Sequence, residues 1–275
     1  MEEVKIVAEI GWNHMGDIEL ANEMILAAKS SGADIVKFQY WDPKYLKAGA
    51  WDSDGRREIY NNAALTEGKI QQLISASESN GCEFLISVFG TYGAKFIHEL
   101  GVKNIKIPSH ETTNIALIEY CSEYFDFIYF SAGASTAKEV VSAHKILQSG
   151  TASYNLMHCV SSYPCDSGAA NLSRINWLKS LSSNVGYSDH TASTVVPAAA
   201  VALGCTVIEK HFTTNKDLPG RDNKFALNAA EFKQMALNIR DVESAMFDKG
   251  LDYQAIEKDT VENYRGRWEP HDYLN

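Results

Sequence analysis

The feature that most limits how this chain folds is an alternation. Short apolar runs recur, each followed by a helical pattern that stops at a glycine or a polar turn. Val4–Glu9 reads as a strand, and Ile18–Ser31 has helical periodicity ending near Gly32. Further strands read at Ile35–Gln39, Glu83–Val88, Asn104–Ile107, Phe127–Phe130, Tyr154–Met157, Asn184–Tyr187 and Thr206–Glu209. Between them lie helices at Glu67–Asn80, Tyr92–Leu100, Ile115–Glu123, Lys138–Gln148, Asn171–Leu181 and Ser193–Leu203, with Ala229–Phe247 last. Thr66 caps the helix that Gly81 ends. Tyr40 to about Leu65 reads as a long polar and aromatic loop. Eight βα units predict an α/β fold, a single (β/α)8 TIM barrel, whose usual length is ~250 residues. A doubly wound open sheet usually needs fewer strands, and no GxGxxG follows the first one. Residues 1–249 are therefore expected to form the barrel. Residues 250–275 form a polar, aromatic tail that packs on the barrel or on a partner.

Composition narrows the function. The 275 residues carry a net charge of −10, which argues against nucleic-acid and membrane-surface binding. An anionic substrate must then be held by a local basic pocket against the overall field. No apolar run approaches the ~20 residues of a membrane span. The N-terminus enters a strand at once, so no signal peptide is expected. Five cysteines without paired CxxC spacing read as reduced thiols of a cytoplasmic protein.

In such a barrel the active site lies at the carboxyl ends of the strands. Each predicted strand brings polar groups there. Strand one ends in Glu9, then His14, and strand two carries Lys37. Strand three ends in Ser87; strand four carries Lys106, then Ser109, His110 and Glu111. Strand five ends in Ser131, and strand six in His158, Ser161, Ser162 and Tyr163. Strand seven ends in Ser188, Asp189 and His190; strand eight ends in Glu209, Lys210 and His211, with Asp222 further along its loop.

Lys37 and Lys106 are flanked by Ile, Val and Phe, and a lysine in a buried strand needs an anion. An internal ion pair with Glu9 or Glu111 is one solution. The other is a substrate phosphate and carboxylate, held with Ser109, Ser131 and Ser188. His190 and His211 follow adjacent strands and suit a divalent ion with open positions. Asp189 either orients one of these imidazoles or caps the following turn. Asp222 in PGRD is a turn residue or, with Glu9 and Glu111, a group that binds hydroxyls or moves protons. His158 reads as a core histidine, and His98, His144 and His271 as surface residues.

Seven segments in order, AEIGWNHMGDIELA, ADIVKFQ, IKIPSHETTN, FSAGAS, MHCVSSYP, GYSDHT and IEKHFTTNKDLPGRDNK, cover nearly the whole barrel. On these the chain resembles the sialic acid synthase family, enzymes that join phosphoenolpyruvate to an N-acetylated hexose. The resemblance implies a (β/α)8 barrel with Mn2+ or Mg2+ on His190 and His211. It implies phosphoenolpyruvate on Lys37, Lys106, Ser109, Ser131 and Ser188. Glu9, Glu111, Asp222 and Tyr163, with Ser161 nearby, would surround the metal and the sugar. The metal would polarise the aldehyde, C3 of phosphoenolpyruvate would attack it, and water would add at C2 before phosphate leaves by C–O cleavage. Glu9, Asp222 or a water on the metal would protonate the alkoxide. A homodimer and a nonulosonic acid product are expected by the same analogy.

The chain departs from that pattern at several places. Ser87-Val88-Phe89 stands where members carry threonine-proline, and His110 where a glycine often precedes the glutamate. The sequence ends near NYRGRWEP, where members continue into an antifreeze-like domain with an acyl-recognising arginine. Arg221, Arg265 and Arg267 are the substitutes present. The acceptor is then N-acetylmannosamine, a diacetamido sugar or another aldehyde. Competing readings are a metal-dependent aldolase or isomerase on a sugar phosphate, and a catalytically silent barrel acting as a binding partner.

Overall fold

A computed structural model describes residues 3–268. Eight parallel strands close on themselves in sequence order, each paired with its neighbours and the last with the first. They are β1 (Lys5–Gly11), β2 (Ile35–Tyr40), β3 (Glu83–Val88), β4 (Asn104–Ile107), β5 (Phe127–Ser131), β6 (Ser153–Cys159), β7 (Val185–Asp189) and β8 (Val207–His211). Around them run α1 (Ile18–Ser30), α2 (Arg56–Ala63), α3 (Glu67–Ser79), α4 (Thr91–Glu99), α5 (Ile115–Tyr124), α6 (Ala137–Ser149), α7 (Arg174–Leu181), α8 (Val196–Ala202) and α9 (Ala229–Ala245). A short helix, α10 (Lys258–Asn263), follows. This is the predicted (β/α)8 barrel.

Several helices start where side chains satisfy their free N–H groups. Asp17 caps α1, Thr66 caps α3, and Thr136 with Glu139 forms a reciprocal cap on α6. Asn228 and Glu231 do the same for α9. Strand alternation sorts the core into two parts. One face of each strand joins the helices in a large apolar cluster. The other face builds a small separate cluster of Val7, Ile35, Leu85, Tyr129, Met157 and Val207. That cluster plugs the barrel, so whatever lies one strand step above it forms the floor of a closed-bottomed cup.

Two expectations are corrected. The stretch from Tyr40 to Leu65 is not all loop, because it contains α2 and two single-turn helices at Pro43–Tyr45 and Ala50–Asp52. RREIYNNA buries only Ala63 and lacks an apolar stripe, which is why periodicity missed it. His144 is not a surface residue: it is 5% exposed and packs edge-on against Tyr154. His98 is half-buried against Tyr120, Tyr124 and Phe125. His271 lies outside the described residues, as does the end of the predicted tail. Among the described residues no helix is long and apolar enough to cross a membrane.

Candidate active site

One step above the apolar plug, every strand places a polar or thiol side chain. Two residues on from Val7, Ile35 and Leu85 come Glu9, Lys37 and Ser87. Two on from Tyr129, Met157 and Val207 come Ser131, Cys159 and Glu209. Lys106 of β4 and Ser188 of β7 complete the layer. All eight line one cavity of about 740 Å³ at the carboxyl ends of the strands. Period-two alternation thus makes the same eight positions both the floor of the cup and its chemistry.

The charges in this layer form a chain. Lys37 Nζ lies 2.8 Å from Glu9 Oε2 and donates to Ser87 Oγ at 2.8 Å. Gln39 donates to the other Glu9 oxygen at 2.5 Å. Glu209 stands between the two lysines, 2.6 Å from Lys106 Nζ and 3.6 Å from Lys37 Nζ, and accepts from Ser188 Oγ at 3.0 Å. Burial disfavours the Glu209 carboxylate, but Lys106 and then Lys37 outweigh it and hold its pKa at about 2. Burial raises Glu9, with Lys37 opposing. Lys37 is raised because Glu209 and Glu9 overcome its burial, whereas burial lowers Lys106. The internal ion pair weighed for Lys37 therefore exists, with Glu9, and Lys106 has its own in Glu209, so both lysines of the expected basic pocket are matched by carboxylates on the floor.

The two histidines meet as the sequence reading expected. Their ring centroids are 5.4 Å apart. His190 Nδ1 donates to the Val160 carbonyl at 2.8 Å, which leaves Nε2 with a free lone pair. His211 Nδ1 is buried without a hydrogen-bond partner and lies 3.7 Å from Asp222 Oδ2. Burial and the neighbouring His190 push His211 well below the usual imidazole range, so it is neutral. Cys159 Sγ lies 3.8 Å from His190 Nδ1; burial opposes both ions, but each supports the other, lowering the thiol and raising the imidazole. Two neutral-capable imidazoles, one with an unpartnered buried nitrogen, fit a divalent ion. Among the described residues no group of three or more His, Cys, Asp or Glu side chains is arranged to hold one.

Around this pair, the Tyr163 ring lies tilted against His190, with centroids 4.1 Å apart. Trp12 Nε1 donates to Asp222 Oδ2 at 2.5 Å, and burial raises that carboxyl to about 6. Asp222 is thus a cavity residue rather than only a turn residue. Glu111 lines the cavity and accepts from Asn114 at 2.6 Å. Ser109 Oγ accepts from the Gly133 N–H at 3.1 Å, and Ser131 Oγ is buried without a partner. Gly133 is required there. A Cβ would come within 2.6 Å of Ser161 Oγ and 2.7 Å of Ser109 Oγ. Ser161 itself is exposed beside Cys159, at the edge of the cavity and outside its lining.

Other assignments sort cleanly. Asp189 does not touch an imidazole; it binds Lys210 and caps the turn at Thr191. His158 is a core residue whose Nε2–H donates to Ala170 O at 2.8 Å and whose ring stacks on Tyr187. His14 accepts from the Gly16 N–H and lies outside the cavity lining, whereas His110 lines it, stacked on Phe89 at 5.1 Å. Arg221 lines the cavity; Arg267 stacks on Tyr264 and Trp268 in the tail instead. Sequence reasoning left out Glu209 and Cys159 as site residues, and the aromatic wall of Trp12, Trp41, Tyr60 and Phe89. Alternation from the strand-end residues was the signal for the first two. Of the wall, Trp41 and Tyr60 come from the mis-read stretch after β2, Trp12 from the turn after β1 and Phe89 from the loop after β3.

A closed parallel barrel with a charged layer at its carboxyl mouth defines a (β/α)8-barrel enzyme. The family model described as NeuB family matches residues 24–250, and the chain belongs to that family. It is 36% identical over 258 residues to the N,N'-diacetyllegionaminic acid synthase of Legionella pneumophila, covering 88% of this chain and 72% of that protein. It is 32% identical over 254 residues to the N-acetylneuraminate-9-phosphate synthase of Drosophila melanogaster, covering 87% and 68%. The sialic acid synthetase of Leptospira borgpetersenii superposes with a TM-score of 0.85 at 30% identity, covering 95% of this chain and 91% of that one. With family membership goes the reaction class expected from sequence, a transferase that condenses phosphoenolpyruvate to an acid product.

Proposed function

We propose that this chain condenses phosphoenolpyruvate with the open-chain aldehyde of an N-acylated amino sugar, giving a nonulosonic 2-keto-3-deoxy acid and phosphate. The observation that carries the reading is the pair of buried ammonium groups, Lys37 and Lys106, flanking Glu209 on the floor of the cavity. In a chain of net charge −10 they are the cations on the floor that a trianionic substrate would meet, in competition with Glu9 and Glu209. Ser131 Oγ, buried and unpartnered, is a donor waiting for an acceptor. Sugar acid synthases among the relatives support the acceptor class.

The C2=C3 electron pair of phosphoenolpyruvate forms the new bond to the aldehyde carbon. The aldehyde oxygen takes the proton of Asp222, whose carboxyl is raised far enough to carry one near neutrality. Glu9 is less suited, because Lys37 and Gln39 already occupy both its oxygens. Water then adds at C2 and loses a proton to solvent. The C2–O bond breaks, phosphate leaves with the bridging oxygen and takes up the proton of the C2 hydroxyl, and C2 becomes the ketone. Lys37 and Lys106 stabilise the negative charge that grows on the departing phosphate. Glu111 and Tyr163, both in the cavity lining, offer an acceptor and a donor to sugar hydroxyls. A divalent ion on His190 and His211, Mn2+ or Mg2+, supplies Lewis-acid polarisation of the aldehyde oxygen.

Phosphate release from phosphoenolpyruvate is the test, run with N-acetylmannosamine and with diacetamido hexoses. Release that requires an aldehyde, stops on chelation and returns with Mn2+ is expected. Full activity after chelation removes the metal from the account. Absence of phosphoenolpyruvate binding by calorimetry overturns the function.

A further inference from the structure

A heavily hydrogen-bonded buried ion pair lies outside the cavity. Asp189 and Lys210 are opposite each other in the β7–β8 register. They share the strand face of Tyr187 and Ile208, which points to the helices and away from the cup. Both are 1% exposed, and they pair at 2.5 Å. Lys210 Nζ also binds the Thr191 carbonyl, and the Ser193 carbonyl at 3.2 Å. Asp189 accepts from Tyr187 Oη at 2.8 Å, from the Thr191 N–H at 2.9 Å and from Thr191 Oγ1 at 3.0 Å.

An apolar pair of the same volume is often no less stable than a buried ion pair, so stability does not explain this one. Its position does. His190 sits between Asp189 and Thr191, and His211 is the next residue after Lys210. The pair ties the turn that carries His190 to the strand that carries His211. It fixes both ends of the backbone from which the imidazoles project. The cavity side adds the other constraints, the His190 Nδ1 bond to Val160 O and the Cys165 N–H bond to His190 O at 2.8 Å.

We propose that Asp189 and Lys210 are positioning residues that set the spacing of His190 and His211 for a shared divalent ion. The proposal rests on the reading of those histidines as the metal site. Lys210 contributes no group to the cavity; it acts through the backbone of the turn.

The test is Mn2+ titration of the full chain, with the phosphoenolpyruvate Kd and Tm measured alongside. The double variant Asp189→Asn/Lys210→Met removes the pair without stranding a charge. It is expected to weaken Mn2+ binding by about 10- to 100-fold, the usual effect of losing an outer support of a metal ligand. The phosphoenolpyruvate Kd, set by Lys37 and Lys106, is expected to stay within about 2-fold. A merely structural pair would lower Tm and leave the Mn2+ Kd of the folded protein unchanged, and that result overturns the proposal. If the double variant does not fold, Thr191→Val decides. It loosens the turn by removing the Thr191 Oγ1 bonds to Asp189, to the Ser193 N–H and to Lys210 Nζ, and an unchanged Mn2+ Kd there also overturns the proposal. Failure of the wild-type chain to bind Mn2+ would instead overturn the metal reading.

Discussion

At the scale of residues, the site is a balance of buried charges, and single substitutions upset it in a definite order. Lys106→Met leaves Glu209 buried against Lys37 alone, and stranding one partner of such a pair costs ~3 kcal/mol. Adding Glu209→Gln is expected to recover most of that stability in urea unfolding, while kcat/KM for phosphoenolpyruvate stays down by about 100-fold or more. Recovery of both would remove Lys106 from the chemistry. Lys37 and Lys106 were legible from sequence because a lysine between Ile and Val has few places to go. Glu209 was not. Its meaning depends on Lys106, which is 103 positions away in sequence. Asp222 was ambiguous for a similar reason: the Trp12 indole that makes it a cavity residue is 210 positions away.

At the scale of elements, the excursion after β2 shapes the acceptor side. α2 rests on the turn after β1 at one tight contact. Gly16 has φ +83, and any Cβ there would run into the Asn62 carbonyl oxygen, while Lys69 Nζ binds Gly16 O at 2.7 Å. Tyr60 of α2 stacks on Trp12 at 5.4 Å and, through its carbonyl, holds the Trp41 indole at 2.9 Å. Gly16→Ala is therefore expected to destabilise the chain by ~1–3 kcal/mol. It should raise KM for the aldehyde several-fold with little change in KM for phosphoenolpyruvate, as steady-state kinetics would show. Equal rises in both would mean that this wall is not on the acceptor side. Strands and most helices were readable because burial enforces their periodicity. α2 was not, because its contacts are aromatic edges and backbone rather than an apolar stripe.

At the scale of the whole molecule, the barrel encloses several imidazoles as neutral groups. Burial, aided by Lys69, lowers His14 to about 4, and burial lowers His110, His144 and His158 as well. Unfolded imidazoles take protons below about 6.5 and these do not, so the unfolded state gains stability as pH falls through that window. Asp222, raised to about 6, works the other way, because acid relieves its burial, and so do Glu9 and His190, both raised. The four lowered imidazoles outnumber these three, and His14 alone is worth on the order of 3 kcal/mol. Tm is expected to fall steadily between about pH 6.5 and pH 4, and a flat profile would contradict the buried-neutral assignment. The eightfold architecture was the most legible property of all, since eight alternations in one chain leave few other closed folds. The central claim is that the lysine floor holds phosphoenolpyruvate for attack through C3 and departure of phosphate from C2. Phosphoenolpyruvate labelled with ¹⁸O at the bridging oxygen tests it directly: the label is expected in the released phosphate, and unlabelled phosphate, the mark of P–O cleavage, would contradict the account.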